Sequence, residues 1–193
     1  MYDDRTTDAE RARWEERWGA LSDRELPPSR WLVAHAEWLP EAGRALDWAG
    51  GDGRNALWLA ERGFEVTLAD ISPTALATAR ARATERGVTL DTVAVDLTSE
   101  EPPAGPWDLI LCHHYYDPRI AERAVPLLSF GGRLVIHHPT RRNLEKHPRP
   151  PAHFLYAEGE LATLLASYEV VFHEEAWTVA DRHEVSAVIE NTP

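Results

Sequence analysis

A chain of 193 residues, 44% of them hydrophobic, is long enough to bury about 70% of its unfolded surface around a core of its own. Its formal net charge of -12 argues against a polyanionic nucleic-acid backbone as partner. Its single cysteine, Cys112, excludes an intrachain disulfide, and no apolar run approaches the length of about 20 that spans a bilayer. The polar start Met1-Tyr2-Asp3-Asp4-Arg5 lacks the pattern of a signal or transit peptide. The expected setting is therefore the cytoplasm, with a small-molecule substrate and neither a membrane nor a nucleic acid as partner.

From Thr7 to about Arg24 the chain is polar, with Trp14, Trp18 and Leu21 at helical spacing, which predicts an amphipathic helix laid on something else. Pro27-Pro28-Ser29 ends that stretch, and Ser29 can cap a second helix carrying Trp31, Leu32, His35 and Trp38. From Arg44 the pattern alternates: strand 44–49, helix 54–62, strand 65–70, helix 73–86, strand 89–95, strand 107–113, helix 117–128 and strand 132–138. Gly63 and Gly87 stand where left-handed residues close helices, and Ser72-Pro73 opens one with a cap and a first-turn proline. After the polar stretch Arg141 to His153 come a helix over about 158–166 and two strands, 168–175 and 184–190, that read as an antiparallel hairpin. The predicted fold is α/β in one domain. It is a doubly wound, mostly parallel seven-stranded sheet with an antiparallel edge strand, with helices over 1–40 capping a Rossmann-like core over 41–193.

The first strand, Ala45-Leu46-Asp47-Trp48-Ala49, runs into Gly50-Gly51-Asp52-Gly53, and Asp70 ends the second strand. Glycines let the backbone approach a ligand, and the amide groups opening the next helix point at the same place. Asp70 can take the hydroxyls of a ribose, and Asp96, after the third strand, the exocyclic amine of an adenine. Gly51-x-Gly53-x-x-Ala56 also fits a dinucleotide fingerprint, so an NAD-dependent oxidoreductase is one reading. Asp47 and Asp52 beside the turn would repel a pyrophosphate but suit an ammonium or sulfonium, and S-adenosylmethionine carries both. A cofactor-binding protein without catalysis is a third reading.

Asp47-x-Ala49-x-Gly51-x-Gly53 resembles the first motif of class I S-adenosylmethionine-dependent methyltransferases. Gly53-Arg54-Asn55-Ala56-Leu57-x-Leu59-Ala60-x-x-Gly63 resembles their tellurite-resistance-type, TehB-like branch. Val66-x-x-x-Asp70-x-Ser72-Pro73-x-Ala75-Leu76, Val95-Asp96-Leu97, Trp107-Asp108-Leu109-Ile110 and Gly131-Gly132-Arg133-Leu134 extend the similarity over roughly residues 30 to 190. It implies S-adenosylmethionine as cofactor, with Asp47, Ala49, Gly51, Gly53, Asn55, Asp70, Ile71, Asp96, Leu97 and Cys112 as its contacts. Ala49 replaces the usual first glycine, and Phe130 stands where a proline commonly precedes the paired glycines. Arg182-His183 reverses the His-Arg pair of tellurite-methylating members.

Methyl transfer from a sulfonium is an in-line displacement, so alignment and exclusion of water matter most, and a base is needed only for a protonated acceptor. Cys112-His113-His114-Tyr115-Tyr116-Asp117-Pro118 follows the fourth strand. His113, His114 and Tyr115 are the candidate catalytic residues; Tyr116, His137, Arg141 and Arg149 are candidate acceptor contacts. Alternation along an extended segment predicts that one histidine and one tyrosine of the run face the cofactor. His137-His138 ends the fifth strand, yet no histidines lie at helical metal spacing and Cys112 has no CxxC partner, so no metal is expected.

Overall fold

The computed structural model describes residues 7–20 and 25–192. Its chain divides into two compact units, Met1–Ala36 with Ala42–Ala104 and Glu37–Glu41 with Gly105–Pro193. The seven strands follow the order β3-β2-β1-β4-β5-β7-β6 of a Rossmann-like mixed sheet.

The first unit holds helices α1 (Thr7–Gly19) and α2 (Arg30–Ala34), strand β1 (Gly43–Trp48), helix α3 (Arg54–Glu61), strand β2 (Phe64–Asp70), helix α4 (Pro73–Arg86) and strand β3 (Asp91–Ala94). β1, β2 and β3 are parallel. The buried run Ala45, Leu46, Asp47 and Trp48 suits an inner strand covered on both faces, where apolar residues need not alternate with polar ones. α4 has the boundaries its residues announce. Ser72 Oγ accepts the Ala75 N–H at 3.1 Å, Pro73 supplies a preset φ in the first turn, and Gly87 closes the helix at φ 66°. Ser29 caps α2 in the same way through the Leu32 N–H. The expected first helix stops at Gly19; Leu21, read as part of its apolar stripe, lies outside the described residues.

The second unit holds β4 (Trp107–His113), α5 (Ile120–Ala124), β5 (Leu128–Pro139), α6 (Glu160–Leu164), β6 (Val170–Trp177) and β7 (His183–Glu190). β4 and β5 are parallel, and β7 pairs antiparallel with both β5 and β6, so the predicted hairpin forms with β7 on its inner side. Leu109, Ile110, Leu111, Val135, Ile136 and Val188 form the center of this unit's core. The helix expected over 117–128 is only α5 followed by a 3₁₀ turn, Val125–Leu127, because Pro126 has no N–H to continue the ladder. β5 begins ahead of the glycine pair Gly131-Gly132, earlier than the strand expected over 132–138. Leu128 partners Trp107 while Arg133 partners Leu109, so residues 129–132 bulge.

Candidate active site

The first unit gathers most of the expected cofactor contacts at the carboxyl ends of its strands. Gly51 sits at φ 61° and Gly53 at φ 78°, a left-handed backbone that glycine adopts without strain. Ala49, in place of the usual glycine, also lies left-handed at φ 57°, so the substitution carries about 1–2 kcal/mol of strain. A Cβ on Gly53 would come within 2.8 Å of the Ala79 Cβ on α4, and Gly53→Ala is expected to destabilize the protein by roughly 2–4 kcal/mol. Urea unfolding midpoints test this, and a midpoint equal to the parent's would refute it.

Asp70 closes the turn from the neighboring strand. Its carboxylate accepts the Gly51 N–H at 2.8 Å and the Ser72 N–H at 2.9 Å, so the ribose candidate also holds the glycine turn and the start of α4. Burial raises its pKa, opposed by those amide donors and that of Ile71. Asp47 is different. It is fully buried, and among the described residues no donor meets either carboxylate oxygen in hydrogen-bond geometry, the Ala56 N–H being the amide that draws on it. Desolvation pushes its pKa up to about 7, against the pull of that amide and of Arg54. A buried carboxylate without a donor, set against glycine backbone, fits a cationic ligand group such as the ammonium of S-adenosylmethionine.

Asp52 does not offer its charge in the same way, as the sequence argument assumed. It is buried in an ion pair with Arg82 at 2.5 Å. Asp96 accepts from Thr98 N–H and Oγ1 and from Ser99 Oγ, organizing the turn after β3 with Leu97 buried beside it. Asp96 Oδ1 takes both Thr98 donors and Oδ2 takes the Ser99 hydroxyl. Asn55, expected at the cofactor, instead gives its carboxamide oxygen to the Ser29 N–H at 2.9 Å, fastening α2 to α3. α1 lies across this region. The Trp18 ring stands where a Gly51 Cβ would point, and the Glu15 carboxylate accepts from Ser72 Oγ, Thr74 Oγ1 and Thr74 N–H.

The second unit collects the other candidates, again at the carboxyl ends of parallel strands. His113 and His114 were expected to point opposite ways. His114, however, is left-handed at φ 60°, and its N–H donates to His137 O at 2.8 Å, so the strand has ended and the two rings lie 4.1 Å apart, centroid to centroid. The His137 ring joins them at 4.8 Å and 5.6 Å. Glu184 on β7, which the sequence did not single out, places one carboxylate oxygen 3.7 Å from His114 Nε2 and the other 3.5 Å from His137 Nε2. Desolvation alone would raise the Glu184 pKa, but the two imidazoles outweigh it and hold the group well below the usual carboxylate range. Only tertiary pairing reveals this residue, since β7 lies some 47 positions beyond His137 and meets it through the antiparallel register His137↔Ser186.

Tyr116 donates to Glu160 at 3.0 Å and packs edge-on against Tyr156, while Cys112 is buried with its Sγ toward Tyr115 O. His138, on the other face of β5, gives Nε2 to Phe154 O, and burial lowers its pKa to about 3, so its ring is neutral at physiological pH. Arg141 Nε reaches Ala152 O and the Arg149 carbonyl accepts from Asn143, folding the basic stretch on itself. Its other cations are met by carboxylates, Arg142 by Glu145 and Glu158, and Lys146 by Asp181. His183 is buried against Thr140 and Trp177.

The family described as Methyltransferase domain matches residues 45–132. In Escherichia coli (strain K12), tRNA 5-carboxymethoxyuridine methyltransferase is 30% identical over 132 residues, 64% of this chain and 51% of that protein. The chain thus spans about half the length of the curated relatives it matches. Among solved structures, TehB from Haemophilus influenzae aligns with a TM-score of 0.73 at 18% identity over 93% of this chain and 67% of that one. A structure concerned with conversion of a disulfide bond into a thioacetal group during echinomycin biosynthesis aligns at 0.72 and 18% identity, over 97% and 92% of the two chains. Residues 45–132 thus resemble a methyltransferase domain, and the solved structures share the fold of the whole sheet. The fold is TehB-like. No helix among the described residues is long and apolar enough to cross a membrane.

Proposed function

We propose that the protein, working as one functional domain in the cytoplasm, methylates a small molecule, taking the methyl group from S-adenosylmethionine. The observation that carries this reading is the fully buried carboxylate of Asp47, without a hydrogen-bond partner beside the left-handed glycine turn. A nicotinamide dinucleotide would bring a pyrophosphate to such a turn and gain nothing from an unneutralized Asp47.

S-adenosylmethionine supplies an electrophilic methyl on a sulfonium. Asp47 takes the ammonium end, Asp70 the ribose, and Asp96 with Leu97 and Ile71 the adenine side, while the Gly51–Gly53 backbone leaves room for them. His113, His114, His137, Tyr115 and Tyr116 receive the acceptor, with Arg141 and Arg149 at the rim. The imidazoles, backed by Glu184, can accept a proton from an acceptor that arrives with one.

A small acceptor is favored over RNA by the net charge of -12 and by the carboxylates that meet Arg142 and Lys146. The tRNA substrate of the E. coli relative supports the competing reading. Titration with S-adenosylhomocysteine should show binding in the micromolar range, and wild-type protein that binds none would remove the proposal. Product formation is then compared across thiols, phenols, amines, halides, selenite, tellurite and bulk tRNA. Turnover confined to tRNA would replace the small-molecule acceptor with RNA.

A further inference from the structure

We propose that His113, His114, His137 and Glu184 form a binding site for one divalent transition-metal ion of the zinc class. The inference does not depend on methyl transfer, because every residue it uses lies in the second unit and its test reads the ion directly.

The three imidazoles each bring one ring nitrogen to within 4.8 Å of the others. They reach this grouping from neighboring strand ends rather than from one element. His113 closes β4, His137 lies opposite it near the end of β5 in the register His113↔His137, and His114 folds back beside them. The fold-back needs a left-handed φ of 60° in a residue with a side chain, a conformation retained where surrounding structure enforces it. Here the enforcing contact is the His114 N–H to His137 O hydrogen bond, which joins the same two strand ends that carry the other ligands.

Glu184 completes the set. Its oxygens stand 3.5 Å from His137 Nε2 and 3.7 Å from His114 Nε2. Both separations are long for a hydrogen bond, which closes at about 2.7–3.2 Å. They match the spacing of about 3.4 Å between two ligand atoms held at about 2.1 Å on a tetrahedral ion. The outer contacts have the form a metal site requires. His137 Nδ1 is engaged by Ser186 Oγ at 2.8 Å, which sets the ring and turns Nε2 toward Glu184. Glu184 and His137 are largely shielded, at 12% and 3% side-chain exposure, while His114 at 42% gives an ion a way in and can rotate to close the remaining distance.

Three imidazole nitrogens with one carboxylate suit zinc, cobalt, nickel or copper and are a poor set for magnesium or calcium, which prefer oxygen ligands. Should the methyltransferase reading hold, the bound ion would occupy the imidazole nitrogens and replace their proton-accepting role, serving as a Lewis acid for the acceptor atom.

The test uses the full chain, stripped with chelator and titrated with zinc by calorimetry and with cobalt(II) by visible absorption. Wild type is expected to take one ion per chain with micromolar affinity or tighter, to show the intense visible bands of a four-coordinate cobalt site, and to keep its ion in excess magnesium. His114→Ala, at a half-exposed position with low folding risk, and Glu184→Gln should each weaken zinc at least about tenfold. Circular dichroism confirms that both variants are folded. Wild type that takes up no zinc below millimolar concentration overturns the inference, and so does uptake that both folded variants reproduce unchanged. A parallel S-adenosylhomocysteine titration separates the two claims. Zinc uptake without nucleoside binding would sink the methyltransferase reading alone, and nucleoside binding without zinc uptake would sink the metal site alone.

Discussion

Asp70→Ala is expected to abolish measurable S-adenosylhomocysteine binding and to destabilize the protein by roughly 2–5 kcal/mol, the largest combined effect of any single change in the cradle. The carboxylate works in both directions. In the proposed site it would present an acceptor to a ribose, and in the fold it accepts the Gly51 N–H at 2.8 Å and the Ser72 N–H at 2.9 Å. Truncation leaves two buried backbone donors unpaired, each worth about 1–3 kcal/mol, and frees the glycine turn from the head of α4. Asp70→Asn retains an oxygen for one donor, so it should recover part of the stability while still binding the nucleoside at least about tenfold more weakly. Urea denaturation together with calorimetric titration reads both quantities. Unimpaired binding in a folded Asp70→Ala protein would take Asp70 out of the cofactor site.

Asp47→Asn should act with the opposite sign on stability. The native carboxyl has its pKa pushed up to about 7 from the ordinary 3.8, so from about pH 4 to 7 the folded state holds more protons at this group than the unfolded chain does. Unfolding free energy therefore falls as pH rises through that window and levels off above it, a loss on the order of 4 kcal/mol for the ligand-free protein. The asparagine variant escapes this loss but buries an amide that lacks partners, which costs about 1–3 kcal/mol. The balance is a ligand-free variant more stable than wild type by roughly 1–3 kcal/mol at pH 8, with the advantage gone near pH 5. Nucleoside affinity moves the other way. Without the charge the ammonium loses its partner, and binding should weaken at least about tenfold. Thermal melts from pH 5 to 8 with and without S-adenosylhomocysteine decide it. A variant less stable than wild type at pH 8 that binds equally well would show that Asp47 is a structural group.

The two carboxylates sit at the ends of adjacent parallel strands and look alike in sequence. Asp70 is satisfied by donors the fold itself supplies, so it is a structural anchor whatever it binds. Asp47 has none in the ligand-free protein, so its charge is tolerated at a cost that a cationic ligand would relieve. A buried carboxylate of this kind costs stability, which is the physical ground for proposing that Asp47 binds a cation.

Much of the architecture was legible because it is local. Ser72-Pro73 with Gly87 bounds α4, Ser29 caps α2, and the apolar runs around Leu46, Leu68, Ile110 and Val135 mark inner strands whose spacing leaves few other topologies. The motif Asp47-x-Ala49-x-Gly51-x-Gly53 with Asp70 pointed to the cofactor for the same reason, since strand, turn and helix start follow one another without interruption. Local pattern failed where a single backbone angle or a distant partner decides. Alternation along a strand separated His113 from His114, and one left-handed φ put them side by side. Metal-ligand spacing was sought along the chain, whereas the grouping comes from the ends of β4 and β5 and from β7. Asp52 read as a free charge until Arg82, 30 residues away, neutralized it, and the bond of the Asn55 oxygen to the Ser29 N–H is likewise invisible to local pattern.

By itself, the order of residues determined the strand and helix sequence, the class of sheet and the glycine turn proposed to hold a cofactor, because caps, glycine turns and apolar periodicity act over a few neighbors. Tertiary structure alone decided which charges are neutralized, which carboxylate is left without a donor, and which imidazoles meet a carboxylate. Those outcomes depend on pairings across tens of residues, where register and burial set each group's surroundings.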